Sequence, residues 1–262
     1  MTALVTGASS GIGRAIAIEL AKRGYNLILV ARRRQRLFEL KREITAEYGV
    51  KVRWFCCDLS KTEDCKALFK RVEHVTIDVL INCAGFGVFG AFDETDLDSE
   101  LKMIDVNIKA VHILTKLFLR EFKARNKGYI LNVASIAGFI AGPEFSSYYA
   151  SKNYVLQLTK AISEELRHSG SNVYIGAFCP GPVRTEFNEV SGAEFAVAGI
   201  SDTYAAKYAI NHMFRRELVI VPTATAKFVA AAAKLVPEKI LLRAAGKVQR
   251  SRKTNTPKDE QL

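Results

Sequence analysis

The 262-residue sequence has no long apolar run, few cysteines and few prolines. No stretch approaches the roughly 18 uncharged apolar residues that span a bilayer, which excludes a transmembrane helix. No signal-peptide pattern precedes the first apolar run, which starts almost at Met1, so we expect a cytoplasmic protein. The five cysteines are odd in number and lack metal-ligand spacing. They therefore predict buried free thiols in a reducing compartment and no metal site.

The sequence also lacks a nucleic-acid-binding motif, although its formal net charge of +11 favours an anionic partner. The basic residues concentrate in two places, after the second apolar run at residues 32–36 and in residues 234–262. We therefore expect a nucleotide phosphate or a membrane surface as the anion, and no nucleic acid.

Apolar segments alternate with amphipathic segments along the chain, and no linker or repeat interrupts them. We predict strands at about 2–6, 26–31, 51–56, 77–82, 128–134, 172–179 and 218–221. We predict helices at about 11–23, 33–48, 62–73, 96–125, 147–169 and 202–215. This alternation predicts an α/β fold, a doubly wound, Rossmann-type, seven-stranded parallel sheet with helices on both faces. Residues 1–222 would form that domain, and residues 223–262 a basic, amphipathic C-terminal helical extension of it.

A glycine-rich turn lies between the first predicted strand and helix. Its sequence is Thr6-Gly7-Ala8-Ser9-Ser10-Gly11-Ile12-Gly13, with the spacing Gly-x-x-x-Gly-x-Gly. Such a turn directs backbone N–H groups and a helix N-terminus at a pyrophosphate, and a Cβ in the turn would hold the phosphate off. The turn predicts a dinucleotide site, and a glycine turn without a ligand is the alternative.

Three polar residues suggest acid–base chemistry. Ser135 follows the apolar strand Tyr129-Ile130-Leu131-Asn132-Val133, and Tyr148 and Lys152 begin the next helix. At i and i+4 the tyrosine and the lysine share a helix face, so the ammonium would lower the pKa of the phenol. Tyr149 points about 100° away and is the weaker candidate. An exposed Tyr–Lys pair at a helix start is the alternative.

These motifs together resemble the short-chain dehydrogenase/reductase family in its single-domain form of roughly 250 residues. The resemblance covers about residues 1–222 and keeps the family's order of motifs. Besides the glycine turn and the three polar residues, it includes Asp58-Leu59, Asn82-Cys83-Ala84-Gly85, Asn107 and Pro180-Gly181-Pro182-Val183-Arg184-Thr185.

The resemblance implies a role for each residue. Tyr148 would donate a proton to a carbonyl oxygen, Ser135 would bind that oxygen, and Lys152 would tune the tyrosine and hold the nicotinamide ribose. Asn107 would position a water for proton relay. The residues implied to bind the cofactor are Gly7, Ser9, Ser10, Gly11, Ile12, Gly13, Arg32, Arg33, Asp58, Leu59, Asn82, Ala84, Gly85, Tyr148, Lys152, Pro180, Gly181, Val183 and Thr185. Among these, Asp58 and Leu59 would line the adenine pocket, Asn82 would steady the central strand, and Thr185 would meet the carboxamide or phosphate. Cys83 departs from the family pattern, which often has asparagine there, and we expect a silent thiol.

The end of the second strand indicates which cofactor is used. An NAD-specific site places a carboxylate there, whereas this strand ends Leu29-Val30-Ala31-Arg32-Arg33. A guanidinium pairs with a 2′-phosphate. The alternative, that these arginines only begin a solvated helix, explains them less well, because cations are unfavourable at a helix N-terminus. We therefore predict NADP.

Two regions carry apolar residues beyond what the sheet needs. The helix at 96–125 has too many for one stripe, so either it covers the core thickly or, with the helix at 147–169, it forms a homodimer or homotetramer. Residues 224–252 alternate apolar and basic residues, which fits a cap over the core and cleft, a partner-subunit contact or a peripheral membrane contact. Phe86, Phe89, Phe92, Phe139 and Phe145 suggest an apolar pocket mouth, and 187–199 a substrate lid.

The sequence thus predicts an NADP-dependent oxidoreductase that transfers hydride between nicotinamide and a carbonyl or alcohol. We expect it to reduce an apolar ketone, aldehyde or 3-oxoacyl compound. An NAD-preferring alcohol dehydrogenase and a non-catalytic dinucleotide-binding regulatory protein are the alternatives. Ser135, Tyr148, Lys152 and Asn107 argue against the last, because a binding protein needs no tuned phenol.

Overall fold

The computed structural model describes residues 1–187, Ser191 and residues 199–253. The strands are β1 (Thr2–Thr6), β2 (Asn26–Ala31), β3 (Val52–Cys56), β4 (Val79–Asn82), β5 (Tyr129–Val133), β6 (Tyr174–Phe178), β7 (Val183–Arg184), β8 (Ile200–Ser201) and β9 (Val219–Ile220). The helices are α1 (Gly11–Lys22), α2 (Arg34–Tyr48), α3 (Thr62–Arg71), α4 (Leu97–Ile104), α5 (Val111–Ala124), α6 (Ser146–His168), α7 (Asp202–Phe214), α8 (Ala224–Leu235) and α9 (Glu238–Lys253). A π-helical turn (Asp105–Ala110) joins α4 to α5, and a 3₁₀ turn (Ile136–Phe139) follows β5.

The main sheet has seven parallel strands in the order β3-β2-β1-β4-β5-β6-β9, which confirms the predicted fold. Neighbouring strand residues face opposite layers: Ala3 and Val5 pack in one core and Leu4 in the other. Helices α1, α2 and α7 cover the first face, and α3, α5 and α6 cover the second. Both faces are buried, which is why the strands are almost continuously apolar.

The order of strands reverses between β1 and β4, because β1 pairs with β2 on one side and with β4 on the other. In doubly wound sheets, ligands bind outside the carboxyl ends of the strands at such a point. The glycine turn and the segment Asn82-Cys83-Ala84-Gly85 both begin there.

Three details differ from the sequence predictions. The helix predicted at 96–125 is interrupted by the π turn, and a short sheet of β7 and β8 was not predicted. Three cysteines are buried, as predicted, but Cys56 is exposed and Cys83 is only half-buried. Cys56 is the last residue of β3, an edge strand of the sheet in which Val52 alone is buried.

The long helix region is covered largely within the molecule. Val111, Leu114 and Phe118 are buried, whereas Leu97 and Leu101 at its start are exposed. In the C-terminal extension, α8 packs on the 3₁₀ turn through the buried Ala226. Among the residues that the structure describes, no helix has both the length and the apolar character needed to cross a membrane.

Candidate active site

A cleft of about 370 Å³ opens at the carboxyl ends of the strands. All the residues predicted for catalysis or cofactor binding line this cleft except Asn82 and Asn107. The lining residues among them are Gly7, Ser9, Ser10, Gly11, Ile12, Gly13, Arg32, Arg33, Asp58, Leu59, Ala84, Gly85, Ser135, Tyr148, Lys152, Pro180, Gly181, Val183 and Thr185. The structure therefore brings together residues that are up to 178 positions apart, from Gly7 to Thr185.

Close contacts within the protein are a second reason why the turn requires glycine. Gly7 has φ +68°, and a Cβ on it would lie 2.8 Å from the backbone nitrogen of Ala84. A Cβ on Gly13 would lie 2.3 Å from the carbonyl oxygen of Gly7. Both contacts are shorter than a real Cβ allows, so these glycines hold the turn against α1 and the loop after β4.

Thr6, the residue before the turn, also fixes the loop after β4. Its hydroxyl donates to the carbonyl oxygen of Ile81 and accepts from the backbone N–H groups of Cys83 and Ala84, at 3.0 and 3.2 Å. Sequence reasoning gave Thr6 no role. The sequence feature that could have identified it is a polar residue at the end of a buried strand.

The hydroxyl of Ser135 lies beside the phenol of Tyr148 in the cleft. Ser135 caps the 3₁₀ turn, where its Oγ accepts from the backbone N–H of Ala137 at 3.1 Å. Tyr148 lies in the first turn of α6 and is buried, with its ring stacked on Phe145 at a centroid distance of 4.5 Å. The serine and the tyrosine can therefore meet one substrate oxygen.

Lys152 lies one turn further along α6 and is also buried. Its Nζ donates to the carbonyl oxygen of Val133 at 2.9 Å and is 5.8 Å from the centroid of the Tyr148 ring. Burial lowers the pKa of Lys152 to about 8, because desolvation disfavours the ammonium.

The sequence prediction that Lys152 lowers the pKa of Tyr148 is wrong for this arrangement. Burial raises the pKa of Tyr148 well above its usual range, and the neighbouring Ser135 hydroxyl offsets only part of that rise. The reason is that both groups are desolvated, while the ammonium bonds to a backbone carbonyl. At neutral pH the phenol is therefore protonated and able to donate.

Asn107 lies in the π turn and is buried outside the cleft lining. Its Nδ2 donates to the carbonyl oxygen of Phe86 at 2.9 Å and to Ser151 Oγ at 3.1 Å, and its Oδ1 accepts from the N–H of Phe86 at 3.1 Å. Asn107 thus fixes the loop that passes beside Lys152. A π turn inside a helix is often found at functional sites.

Asn82 belongs to a buried polar network beneath the cleft. Its Nδ2 donates to Thr115 Oγ1 at 3.0 Å and to Asn132 Oδ1 at 2.8 Å, and Asn132 donates to Thr159 Oγ1 at 2.9 Å. The network ties β4 to β5 and to α6, as a strand-steadying role requires. Sequence reasoning missed Asn132, although a polar residue inside the run Ile130–Val133 is a visible signal.

The two ends of the cleft differ in polarity. At one end, Arg32 and Arg33 lie near the glycine turn, and Asp58 accepts hydrogen bonds from the N–H and Oγ of Ser60 at 3.2 and 2.9 Å. Cys83 lies between the ends, where burial raises the pKa of its thiol to about 12. The thiol therefore stays protonated, as expected for a silent residue.

Aromatic side chains line the other end. Phe86 and Phe145 line the cleft, as predicted, and Phe89 packs behind Phe145 at a centroid distance of 5.8 Å. The prediction is wrong for Phe92, which is exposed, and for Phe139, which packs with the layer under α8.

Sequence reasoning did not place two further aromatic residues in the cleft. Tyr149 lines it beside Tyr148, and Phe187 lies 5.4 Å from the Tyr148 ring between centroids. The lid predicted at 187–199 falls mostly outside the described residues, which include only Phe187, Ser191 and Gly199 of that segment.

Comparison with known proteins agrees with this geometry. The family model described as short chain dehydrogenase matches residues 1–195. A very-long-chain 3-oxoacyl-CoA reductase of Anas platyrhynchos is 35% identical over 201 residues, which cover 74% of this chain and 63% of that protein. The chain therefore spans less than two thirds of the length of that relative.

Solved structures share the fold over the whole chain. A short-chain dehydrogenase from Sphingobium yanoikuyae in complex with NADPH is 29% identical with a TM-score of 0.81, covering 100% of this chain and 98% of that one. A short-chain dehydrogenase/reductase from Burkholderia phymatum in complex with NAD has a TM-score of 0.82 and covers 100% and 97% of the two chains. At 23% identity, the second likeness shows the fold alone.

Proposed function

The chain belongs to the short-chain dehydrogenase family, and from that premise we propose that it is an NADP-dependent carbonyl reductase. The observation that carries this proposal is that Ser135, Tyr148 and Lys152 line the same cleft as the glycine turn. A protein that only bound a dinucleotide would not need a buried proton donor beside the nicotinamide end of the cleft.

The residues divide the work on a carbonyl group. Tyr148 donates its phenolic proton to the oxygen, for which its raised pKa and buried ring keep it protonated. Ser135 donates a hydrogen bond to the same oxygen and stabilises the charge that develops there. When bound, the reduced nicotinamide supplies the hydride.

The remaining polar residues position these groups. Lys152 would hold the ribose hydroxyls at the nicotinamide end, and Asn107 keeps the neighbouring loop in place through the backbone of Phe86. Asn107 is also our candidate for positioning a water in the proton relay. The glycine turn and the N-terminus of α1 would receive the pyrophosphate.

We propose NADP over NAD because the end of β2 is basic. Arg32 and Arg33 follow the strand where a carboxylate would favour NAD, and both line the cleft. Arg33 donates to Ser9 Oγ at 3.1 Å and to Ser10 Oγ at 2.5 Å, so its guanidinium is held over the glycine turn. The NADPH complex of the related Sphingobium enzyme is consistent with this choice.

The substrate class follows from the walls of the cleft. Phe86, Phe145, Tyr149 and Phe187 surround Tyr148 with apolar and aromatic surface, which suits a ketone, an aldehyde or a 3-oxoacyl compound with an apolar body. The relative that acts on very-long-chain 3-oxoacyl-CoA supports the same class.

Exposed apolar residues on α4 and α6 suggest that the protein forms an oligomer. Leu97 and Leu101 on α4 and Tyr154 on α6 are exposed, and we propose that they contribute to a homodimer or homotetramer. We place the protein in the cytoplasm, with a fraction on membranes.

The C-terminal extension is our candidate for the membrane contact. Among the described side chains of α8, Ala226 alone is buried against the body, while Phe228 and Leu235 of α8 and Ile240 of α9 are exposed, Leu235 by 84%. The exposed basic residues around them are Lys227, Lys239, Arg243 and Lys247. Apolar side chains flanked by cations suit an anionic lipid surface.

The test of the proposed function is a substrate panel. Purified protein is mixed with NADPH or NADH and with ketones, aldehydes and 3-oxoacyl thioesters, and reduced nicotinamide is followed by absorbance. We expect turnover with NADPH and apolar carbonyl substrates. Faster turnover with NADH would favour the NAD-preferring alternative, and nucleotide binding without turnover on any substrate would favour the regulatory one.

A further inference from the structure

A glutamate occupies the cationic end of the cleft. Glu186 follows β7 and Thr185, and its Oε2 accepts from Arg33 Nη1 at 2.7 Å, while its Oε1 accepts from Arg36 Nη1. The other nitrogens of Arg33 donate to Ser9 and Ser10 of the glycine turn. One guanidinium therefore joins the turn to a carboxylate 153 positions further along the chain.

The groups that hold this carboxylate are those that would hold a phosphate. Planar guanidinium groups bind carboxylates and phosphates with the same fork of N–H donors. A phosphate that binds the same edge of the Arg33 guanidinium needs the Nη1 donor that Glu186 occupies. A phosphate and a carboxylate side by side also repel each other, because both are anions. At this edge Arg33 can therefore bond to the carboxylate or to the phosphate, but not to both.

We propose that Glu186 is an internal anion that competes with the 2′-phosphate of NADP for Arg33 and thereby sets how strongly the protein distinguishes NADP from NAD. This inference rests on the proposed NADP preference. It adds a specificity residue of opposite charge to the arginines that attract the phosphate.

The strength of the competition follows from exposure. The Arg33 and Glu186 side chains are 41% and 37% exposed, so solvent screens the pair and its contribution is modest. Hydrogen bonds from Arg33 and Arg36 lower the pKa of Glu186, which keeps the carboxylate charged at neutral pH. We therefore expect Glu186 to adjust NADPH affinity by several-fold.

The experiment compares Glu186→Gln with wild type in fluorescence titrations of NADPH and NADH. The amide keeps the shape of the side chain and removes its charge, so NADPH should bind about 3- to 10-fold more tightly, and NADH within about 2-fold of wild type. Adenosine 2′,5′-bisphosphate and AMP, which differ by the 2′-phosphate, should show the same contrast without any hydride transfer.

Glu43→Gln is the matched control. Glu43 pairs with Arg14 at 2.5 Å with side chains 40% and 41% exposed, close to the values of the Glu186 pair, but neither residue lines the cleft. This variant loses one negative charge, as Glu186→Gln does, and one ion pair where Glu186→Gln loses two. It should leave the affinities for both nucleotides unchanged.

The outcomes separate this inference from the proposed function. NADPH affinity that is unchanged or lower in Glu186→Gln, while Arg33→Ala weakens NADPH binding, would overturn the competition and leave the NADP preference intact. Equal affinity of wild type for NADPH and NADH, unaffected by Arg33→Ala, would overturn the NADP preference and this inference with it.

Discussion

At the scale of single residues, the site depends on a phenol that is buried beside a second hydroxyl, that of Ser135. Tyr148 lies between the rings of Phe145 and Phe187, which exclude water, and the Ser135 hydroxyl lies beside the phenol. Burial keeps the proton on the phenol until a substrate oxygen accepts it. This state suits carbonyl reduction better than alcohol oxidation, in which the phenolate must act as a base.

The first prediction concerns that proton. Tyr148→Phe removes the transferable proton and keeps the ring packed, so we expect kcat to fall by at least about 100-fold with the fold retained. Tyr149→Phe is the matched control, because it removes the neighbouring hydroxyl from the same cleft, and it should change kcat little. If Tyr149→Phe is the inactive variant, the proton donor has been assigned to the wrong tyrosine.

The second prediction concerns the charge of Lys152. Burial lowers the pKa of Lys152 to about 8, so the ammonium is present below that pH and is lost as the pH rises through it. Because kcat/KM reports the free enzyme, kcat/KM for NADPH should fall as the pH rises above about 8.

Lys152→Arg tests the origin of that fall. The guanidinium stays charged in proteins, so the alkaline decline should move to higher pH even if the overall rate is lower. A wild-type profile that stays flat to pH 10 would contradict the role given to the ammonium.

At the scale of elements, the glycine turn is held by contacts that leave no room for a side chain. The third prediction is that Gly13→Ala lowers the free energy of unfolding by about 1–3 kcal/mol, because its Cβ would overlap the carbonyl oxygen of Gly7. Chemical denaturation followed by circular dichroism measures the change.

Gly181→Ala is the control for that experiment. The new Cβ would have Ile136 and Ala226 as neighbours at ordinary distances of 3.7 and 3.9 Å. We expect its unfolding free energy to stay within about 0.5 kcal/mol of wild type. Equal effects of the two substitutions would mean that the close approach at Gly13 relaxes without cost.

The sequence predicts helices and strands well where the spacing of apolar residues and the turn residues between them indicate the same boundaries. All seven strands of the main sheet form where alternating apolar segments placed them, and β1, the glycine turn and α1 follow the motif. The π turn at Asp105–Ala110 could not be predicted, because one extra residue in a helical turn leaves the apolar pattern of 96–125 almost unchanged. The β7–β8 pair is too short to give a periodic signal.

The site was predictable in position and less so in chemistry. The motif residues could be expected in one cleft because the carboxyl ends of parallel strands share an edge. The pKa of Tyr148 could not, since it depends on burial, to which Phe187 from a distant segment contributes together with the nearby Phe145. Glu186 was missed for the same reason, because its partners Arg33 and Arg36 lie about 150 positions away.

At the scale of the whole molecule, the positive net charge favours anionic partners. The chain carries a formal charge of +11, so two copies repel each other unless a large apolar contact offsets the repulsion. The exposed apolar residues of α8 and α9 are surrounded by cations. This surface therefore suits an anionic lipid better than a second copy of the same basic surface.

The fourth prediction tests that partner. The protein should sediment with phosphatidylcholine vesicles that contain phosphatidylserine at low salt, and much less with phosphatidylcholine alone. Phe228→Asp/Leu235→Asp should reduce binding strongly.

Phe92→Asp is the control for that experiment, since Phe92 is 67% exposed in another part of the molecule, and it should bind as wild type does. Absence of binding to anionic vesicles at low salt would contradict a membrane role and leave the extension as a cover for the cleft.

The central claim is that this is an NADP-dependent carbonyl reductase, and the ratio of kcat/KM for NADPH to that for NADH with one carbonyl substrate tests it most directly. Wild type should favour NADPH. Arg32→Asp/Arg33→Ala should lower that ratio by roughly 10- to 200-fold, because each charge-assisted contact to the 2′-phosphate contributes about 1.5–3 kcal/mol. A wild-type preference for NADH, or an NADPH preference that survives loss of both arginines, would contradict the account.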